Sequence, residues 1–167
     1  MALLGLHIVA AAVYLFTTTS QGVDMQYDLL SVRSTREPYK VSCPSDIFSV
    51  LKRYANARNE RFIVLTLDGA HQVIKANIIS IGLVNRTVVH PREVFYPAII
   101  QNACAIICSH NHPSGRLDPS PEDRDITDRL RRASEILGIT LLDHVIIGRS
   151  GFYSFVEHGL LSAPNPD

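Results

Sequence analysis

The chain is predicted to fold as an α/β domain, and three features carry that reading. Apolar runs at 62–67, 73–81, 104–109 and 139–147 are short and rich in β-branched residues, as strands are. Segments at 47–54, 90–102 and 120–137 read as helices, so helices alternate with the strands. With 167 residues there is room for one domain with a real core.

Alternating residues suggest a short strand at 27–33, and 38–43 reads as extended chain or loop. Ser45-Asp46 can cap a helix over 47–54, on which Ile47, Val50, Leu51 and Tyr54 share a face. Residues 56–60 form a polar turn. The strand at 62–67 meets its partner at 73–81 through Asp68-Gly69, a hairpin signal. Residues 82–89 are expected as a loop or irregular strand. His90-Pro91-Arg92-Glu93 opens a helix toward Asn102. Within it Pro97 cannot donate to the carbonyl of Glu93, so a kink or early stop is expected there. After the strand at 104–109, Ser120-Pro121 marks a helix start, with Ser at the N-cap and Pro at the first helical position. Ile126, Leu130, Ala133 and Leu137 make the apolar stripe of that helix, and Gly138 is its C-cap. A strand at 139–147, a turn at 148–151 and a hairpin partner at 152–156 follow. The tail, 162–167, carries two prolines and is expected to be disordered.

The chemistry concentrates at Ser109-His110-Asn111-His112-Pro113-Ser114-Gly115, followed by Ser120-Pro121-Glu122-Asp123. His110 and His112 lie where an apolar strand ends. Residues i and i+2 of extended chain point the same way, so both imidazoles can face one point. Pro113, Gly115 and Pro119 turn the chain, and Asp123 falls in the first turn of the next helix. Two His and one Asp are three N/O ligands, the count of a catalytic zinc that keeps a fourth position open for water. Ser120-x-x-Asp123 is also close to a capping box, with Asp in place of the usual Glu or Gln.

The pattern His110-x-His112-Pro113, six residues, then Ser120-x-x-Asp123 resembles the JAMM (MPN-plus, or JAB) metallopeptidase signature. The fuller string, 90–95 (HPREVF), 110–115 (HNHPSG) and 141–148 (LLDHVIIG), is similar to the RadC branch of that family, from about Tyr27 to Leu161. The resemblance implies a three-layer α/β/α fold, similar to that of the cytidine deaminases, around a mixed central sheet. It implies one zinc per chain held by His110, His112 and Asp123, with Glu93 as general base and Ser120 as helper at the oxyanion. The implied activity is that of a zinc-dependent metallopeptidase or isopeptidase, in which zinc-bound water attacks an amide carbonyl of an unidentified peptide or protein substrate. Asp143 and His144 belong to the same string, and His144 reads as a structural neighbour of the site rather than a fourth ligand. The standard bacterial RadC protein carries a helix-hairpin-helix region before this domain, so the chain resembles the short, stand-alone form.

Two rival classes are a DNA-processing protein and a catalytically inactive zinc-binding interaction module. Lys plus Arg and Asp plus Glu both total 16, so no net charge draws the chain to nucleic acid or to an anionic membrane. An intact candidate base argues against the inactive module. A zinc deaminase is excluded, because its His-x-Glu and Pro-Cys-x-x-Cys signature is absent. Cys43, Cys104 and Cys108 make no Cys-x-x-Cys pair, and the last two read as buried thiols. An odd count without a disulfide framework favours a reducing compartment, the cytoplasm. Residues 1–24 form an apolar N-terminal extension. Its apolar run, 2–16, is too short for a comfortable membrane span, and no Lys or Arg precedes Arg33 to serve a signal peptide. The reading favoured is an extension of little function ahead of a domain at 27–161, with Met25 as a possible natural start. A signal peptide ranks second and a membrane anchor third.

Overall fold

The structure, a computed structural model, describes residues 39–82 and 89–162. The expected strand at 27–33, the N-terminal extension and most of the 82–89 loop and of the tail lie outside the described residues. Five strands form one mixed sheet: β1 (Glu60–Leu67), β2 (Val73–Gly82), β3 (Ala105–Asn111), β4 (Thr140–Gly148) and β5 (Gly151–Ser154), in the order β2-β1-β3-β4-β5. Three α-helices accompany them: α1 (Pro44–Leu51), α2 (Pro91–Ile100) and α3 (Pro121–Leu137).

The sheet is buried on both faces, which is why β1 and β3 read as nearly unbroken apolar runs. On one face Ile47 and Leu51 of α1 pack with Ile63, Leu65, Ile107, Val145 and Ile147. On the other, Val94, Phe95 and Ala98 of α2 and Leu130 of α3 pack with Phe62, Val64, Ile106, Cys108 and Ile146. The result is the three-layer α/β/α arrangement. β1 runs antiparallel to both β2 and β3, whereas β3 and β4 are parallel. A parallel pair needs a crossover, and α3 supplies it. That crossover carries the N-terminus of α3 to the carboxyl end of β3, the edge where α/β folds assemble their sites.

One irregularity matters for the site. Ile106 pairs with Leu141 but Ile107 pairs with Asp143, so Leu142 is an extra residue in β4. An extra residue reverses the in-and-out alternation of everything beyond it. Leu141 joins the α2/α3 core, Leu142 packs against the α1 core, and beyond the extra residue Val145 and Ile147 are turned to the α1 side. His144, paired with Cys108, is thereby turned to the α2/α3 side.

Several bounds differ from the sequence reading. α1 starts at Pro44 with Cys43 at its N-cap, because Pro44 already has the φ of a first helical residue. The Asp46 carboxylate accepts from the backbone N–H of Ser42 (2.8 Å) and Cys43 (3.1 Å) rather than opening the helix. Its last expected turn, Lys52–Tyr54, is a 3-10 helix. α2 continues through Pro97 to Ile100, held by the burial of Val94, Phe95, Pro97 and Ala98. Cys108 is buried as expected, but Cys104 is exposed. It precedes β3 at the sheet's end, beside Gly69 of the Asp68-Gly69 turn.

Candidate metal centre

The register of β1 and β3 sets the site. Phe62 pairs with His110, and Phe62 and Cys108 both belong to the α2/α3 core, so the His110 ring enters that layer. It stacks on Phe62, with centroids 6.1 Å apart and planes 6° from parallel. His112 follows two residues later, just past the strand, and its side chain keeps 14% exposure, which opens the cluster to solvent. Asp123, in the first turn of α3, closes the group. His110 Nε2 lies 3.0 Å from His112 Nε2, and the two nitrogens lie 3.2 Å and 3.4 Å from Asp123 Oδ1 and Oδ2. One donor atom from each residue falls within 4.8 Å of the others.

Hydrogen bonds at the far side of each ring decide where the protons sit. His112 Nδ1 is 2.9 Å from the carbonyl oxygen of Arg116, which can only accept, so Nδ1–H donates and Nε2 of the neutral ring keeps its lone pair. Asp123 is aimed by its helix start. Its Oδ2 accepts from the backbone N–H of Ser120 (2.8 Å) and from the Ser120 hydroxyl (2.7 Å), while Ser120 Oγ accepts from Asp123 N–H (3.1 Å). This is the capping box read from sequence, and it doubles as a mount for the carboxylate.

The electrostatics point the same way. Burial pushes the Asp123 carboxyl up, but His110, His112 and the Ser120 hydroxyl outweigh it and hold it well below the usual carboxylate range. Burial pushes His110 down against the pull of Asp123. His112 is raised by its hydrogen bond to Asp123. Two imidazole lone pairs and a carboxylate converging at these distances are mutually repulsive unless a cation lies among them. Two neutral nitrogens and one anionic oxygen suit a borderline divalent ion, and the donor set fits the zinc implied by the signature.

Glu60, which opens β1, was placed in a polar turn by the sequence reading. The pairing of Phe62 with His110 puts Glu60, two residues before, on the same face as His112, two residues after. Arg61, between them, donates its backbone N–H to Asn111 Oδ1 (3.0 Å), which ties the start of β1 to the end of β3. Burial raises the Glu60 carboxyl to about 7, with His112 lowering it and Asp123 raising it further. Only the strand pairing reveals this residue; the single signal in the sequence is an acid two places before the apolar run.

Glu93 lies in the first turn of α2, with Arg92 Nε 3.7 Å from its carboxylate. No hydrogen bond or ion pair joins it to the histidines or to Asp123 among the described residues. Asp143 is buried away from the donors: Ser154 Oγ donates to its Oδ2 (2.6 Å), and the N–H groups of His144 (2.7 Å) and Val156 (3.1 Å) donate to Oδ1. His144 is fully buried, touches His110 through Nε2 at 2.8 Å, and is not part of the donor cluster. His90 caps α2, accepting from Arg92 N–H (3.2 Å).

Fold and cluster together define an α/β JAB-type domain with a three-donor group that could hold a metal ion. Compared with known proteins, residues 41–160 match the RadC-like JAB domain, and the chain belongs to that family. It is 48% identical over 122 residues to the UPF0758 protein of Rubrobacter xylanophilus, a match that covers 72% of this chain and 53% of that one. The UPF0758 protein of Trichlorobacter lovleyi is 46% identical over 123 residues, covering 73% and 54%. That of Methanosarcina mazei is 39% identical over 123 residues, with the same coverage. The chain spans about half the length of the curated relatives it matches. No helix among the described residues is long and apolar enough to cross a membrane.

Proposed function

We propose that the protein is a zinc-dependent hydrolase of amide bonds, acting on a peptide or isopeptide. The observation that carries this is the convergence of two histidine nitrogens and a buried carboxylate, with no fourth protein donor among the described residues. A zinc ion held by His110, His112 and Asp123 would supply Lewis acidity and acidify a water at its open position. The chain's own residues supply the rest. Ser120 fixes Asp123 through its backbone N–H and hydroxyl. The Arg116 carbonyl fixes His112. Glu93, the base implied by the signature, would accept the water's proton from α2 and return it to the leaving amine. Glu60, on the same face as His112 with its carboxyl raised to about 7 by burial, is a rival for that role. A Ser120 role at the oxyanion requires its hydroxyl to leave Asp123.

Elemental analysis of purified protein is expected to find about one zinc per chain, lost in His112→Ala because two protein ligands hold the ion too weakly. A peptide-library screen then supplies a cleavable substrate. Glu93→Gln is expected to keep its zinc and lose ~10²–10⁴ in hydrolysis, as for a missing general base, with Glu60→Gln near wild type. The reverse pattern assigns the base to Glu60. Wild-type protein that takes up no zinc sinks the reading.

A further inference from the structure

The layer behind the donor cluster holds a chain of polar groups that the hydrolase reading leaves unused. His144 Nδ1 lies 2.6 Å from Thr127 Oγ1, and Thr127 Oγ1 lies 2.6 Å from the backbone carbonyl oxygen of Asp123. Both His144 and Thr127 are buried, at 0% and 2% exposure, so water does not complete their hydrogen bonding. The carbonyl can only accept, so the single hydroxyl proton of Thr127 goes to Asp123 O, one turn back along α3. Thr127 Oγ1 must then accept, and His144 Nδ1–H donates to it. The His144 ring lies between Phe155, stacked at 4.8 Å, and Phe62, edge-on at 5.4 Å. With its proton on Nδ1, the imidazole keeps a lone pair on Nε2. It accepts from His110 Nδ1–H across 2.8 Å. A His110 imidazole with its proton on Nδ1 presents a lone pair on Nε2 to the cluster.

We infer that Thr127 and His144 form a one-directional hydrogen-bond relay that locks His110 in the tautomer able to bind a metal, with Thr127 setting the direction. The relay starts on the backbone of one ligand, Asp123, and ends on the ring of another, His110. It therefore couples α3 to β3 through β4, and the extra residue Leu142 is what turns His144 inward to complete it. Both residues are positioning residues: neither is part of the donor cluster. The inference rests on the metal-binding reading, but the tautomers it assigns exist without metal.

The test uses Thr127→Val, which keeps the shape and removes the hydroxyl, and Thr127→Ser, which restores it. Long-range ¹H–¹⁵N NMR of the metal-free wild type is expected to show Nδ1–H tautomers at both His110 and His144. In Thr127→Val, His144 is freed to move its proton to Nε2 and donate to His110. The His110 proton then shifts to Nε2, where it blocks the metal. Zinc affinity, measured by competition with a chromophoric chelator, is expected to fall about 10–100-fold in Thr127→Val, the usual cost of losing a residue that orients a ligand, and to return in Thr127→Ser. Thermal melts of the metal-free proteins separate this from misfolding. Wild-type tautomers in Thr127→Val, or equal zinc affinity in all three proteins, overturn the relay. If wild type binds no zinc yet shows the assigned tautomers that Thr127→Val disrupts, the relay stands and the metal reading falls.

Discussion

Glu60 shows how much one residue's surroundings decide. Exposed, it is a solubilising acid; half-buried beside Asp123, its carboxyl rises to about 7. A raised pKa means the folded protein holds the proton more tightly than the unfolded chain. In metal-free protein the stability from this group is thus complete below its ordinary value of 4.5 and is lost as pH rises to about 7. Denaturant midpoints measured in chelator are expected to show wild type losing ground to Glu60→Gln across that window, with a constant gap above it. A gap independent of pH would mean the carboxyl titrates as if exposed. Of the residues in the site, His110, His112 and Asp123 were legible because i, i+2 spacing on a strand end and an acid at a helix start are local geometry. Glu60 and Thr127 were not. Each acts across a pairing with a residue far along the chain, and neither stands in a local pattern that marks it.

At the scale of elements, the start of α3 serves both stability and the site. Ser120 caps the helix through Asp123 N–H and at the same time donates to the Asp123 carboxylate. Ser120→Ala is expected to lower stability by about 1 kcal/mol, the typical value of an N-cap. It should also weaken zinc retention, because Asp123 loses one of the two donors on Oδ2. Urea titration and chelator competition on the same protein check both. Hydrolysis lost with stability and zinc unchanged would instead place the hydroxyl on the substrate. The cap was readable in sequence, since Ser-Pro and Ser-x-x-Asp are contacts within one turn. The same local reading failed at α1, where Pro44 moved the start forward, and at Pro97, where buried neighbours carry α2 past a residue that propensity would stop at.

For the whole molecule, both cores and the donor cluster are built from residues 39–162, and the family match covers 41–160. A chain starting at Met25 is accordingly expected to fold and bind zinc like the full chain, as read by circular dichroism and metal content. Loss of folded protein on that truncation would place the apolar run at 2–16 in the core. What the sequence by itself determined was the α/β class, the hairpin at Asp68-Gly69, the order of helices and strands, and the His-x-His and Asp donors. All of these follow from periodicity and capping, which act over a few residues. What only the tertiary structure decided was the strand order, the face on which each side chain lands, and so the company the donors keep. The extra residue in β4 makes the point: strict alternation from Leu141 puts His144 on the α1 face. The bulge puts it against His110, because pairing with β3 and burial on both faces outweigh the two-residue period.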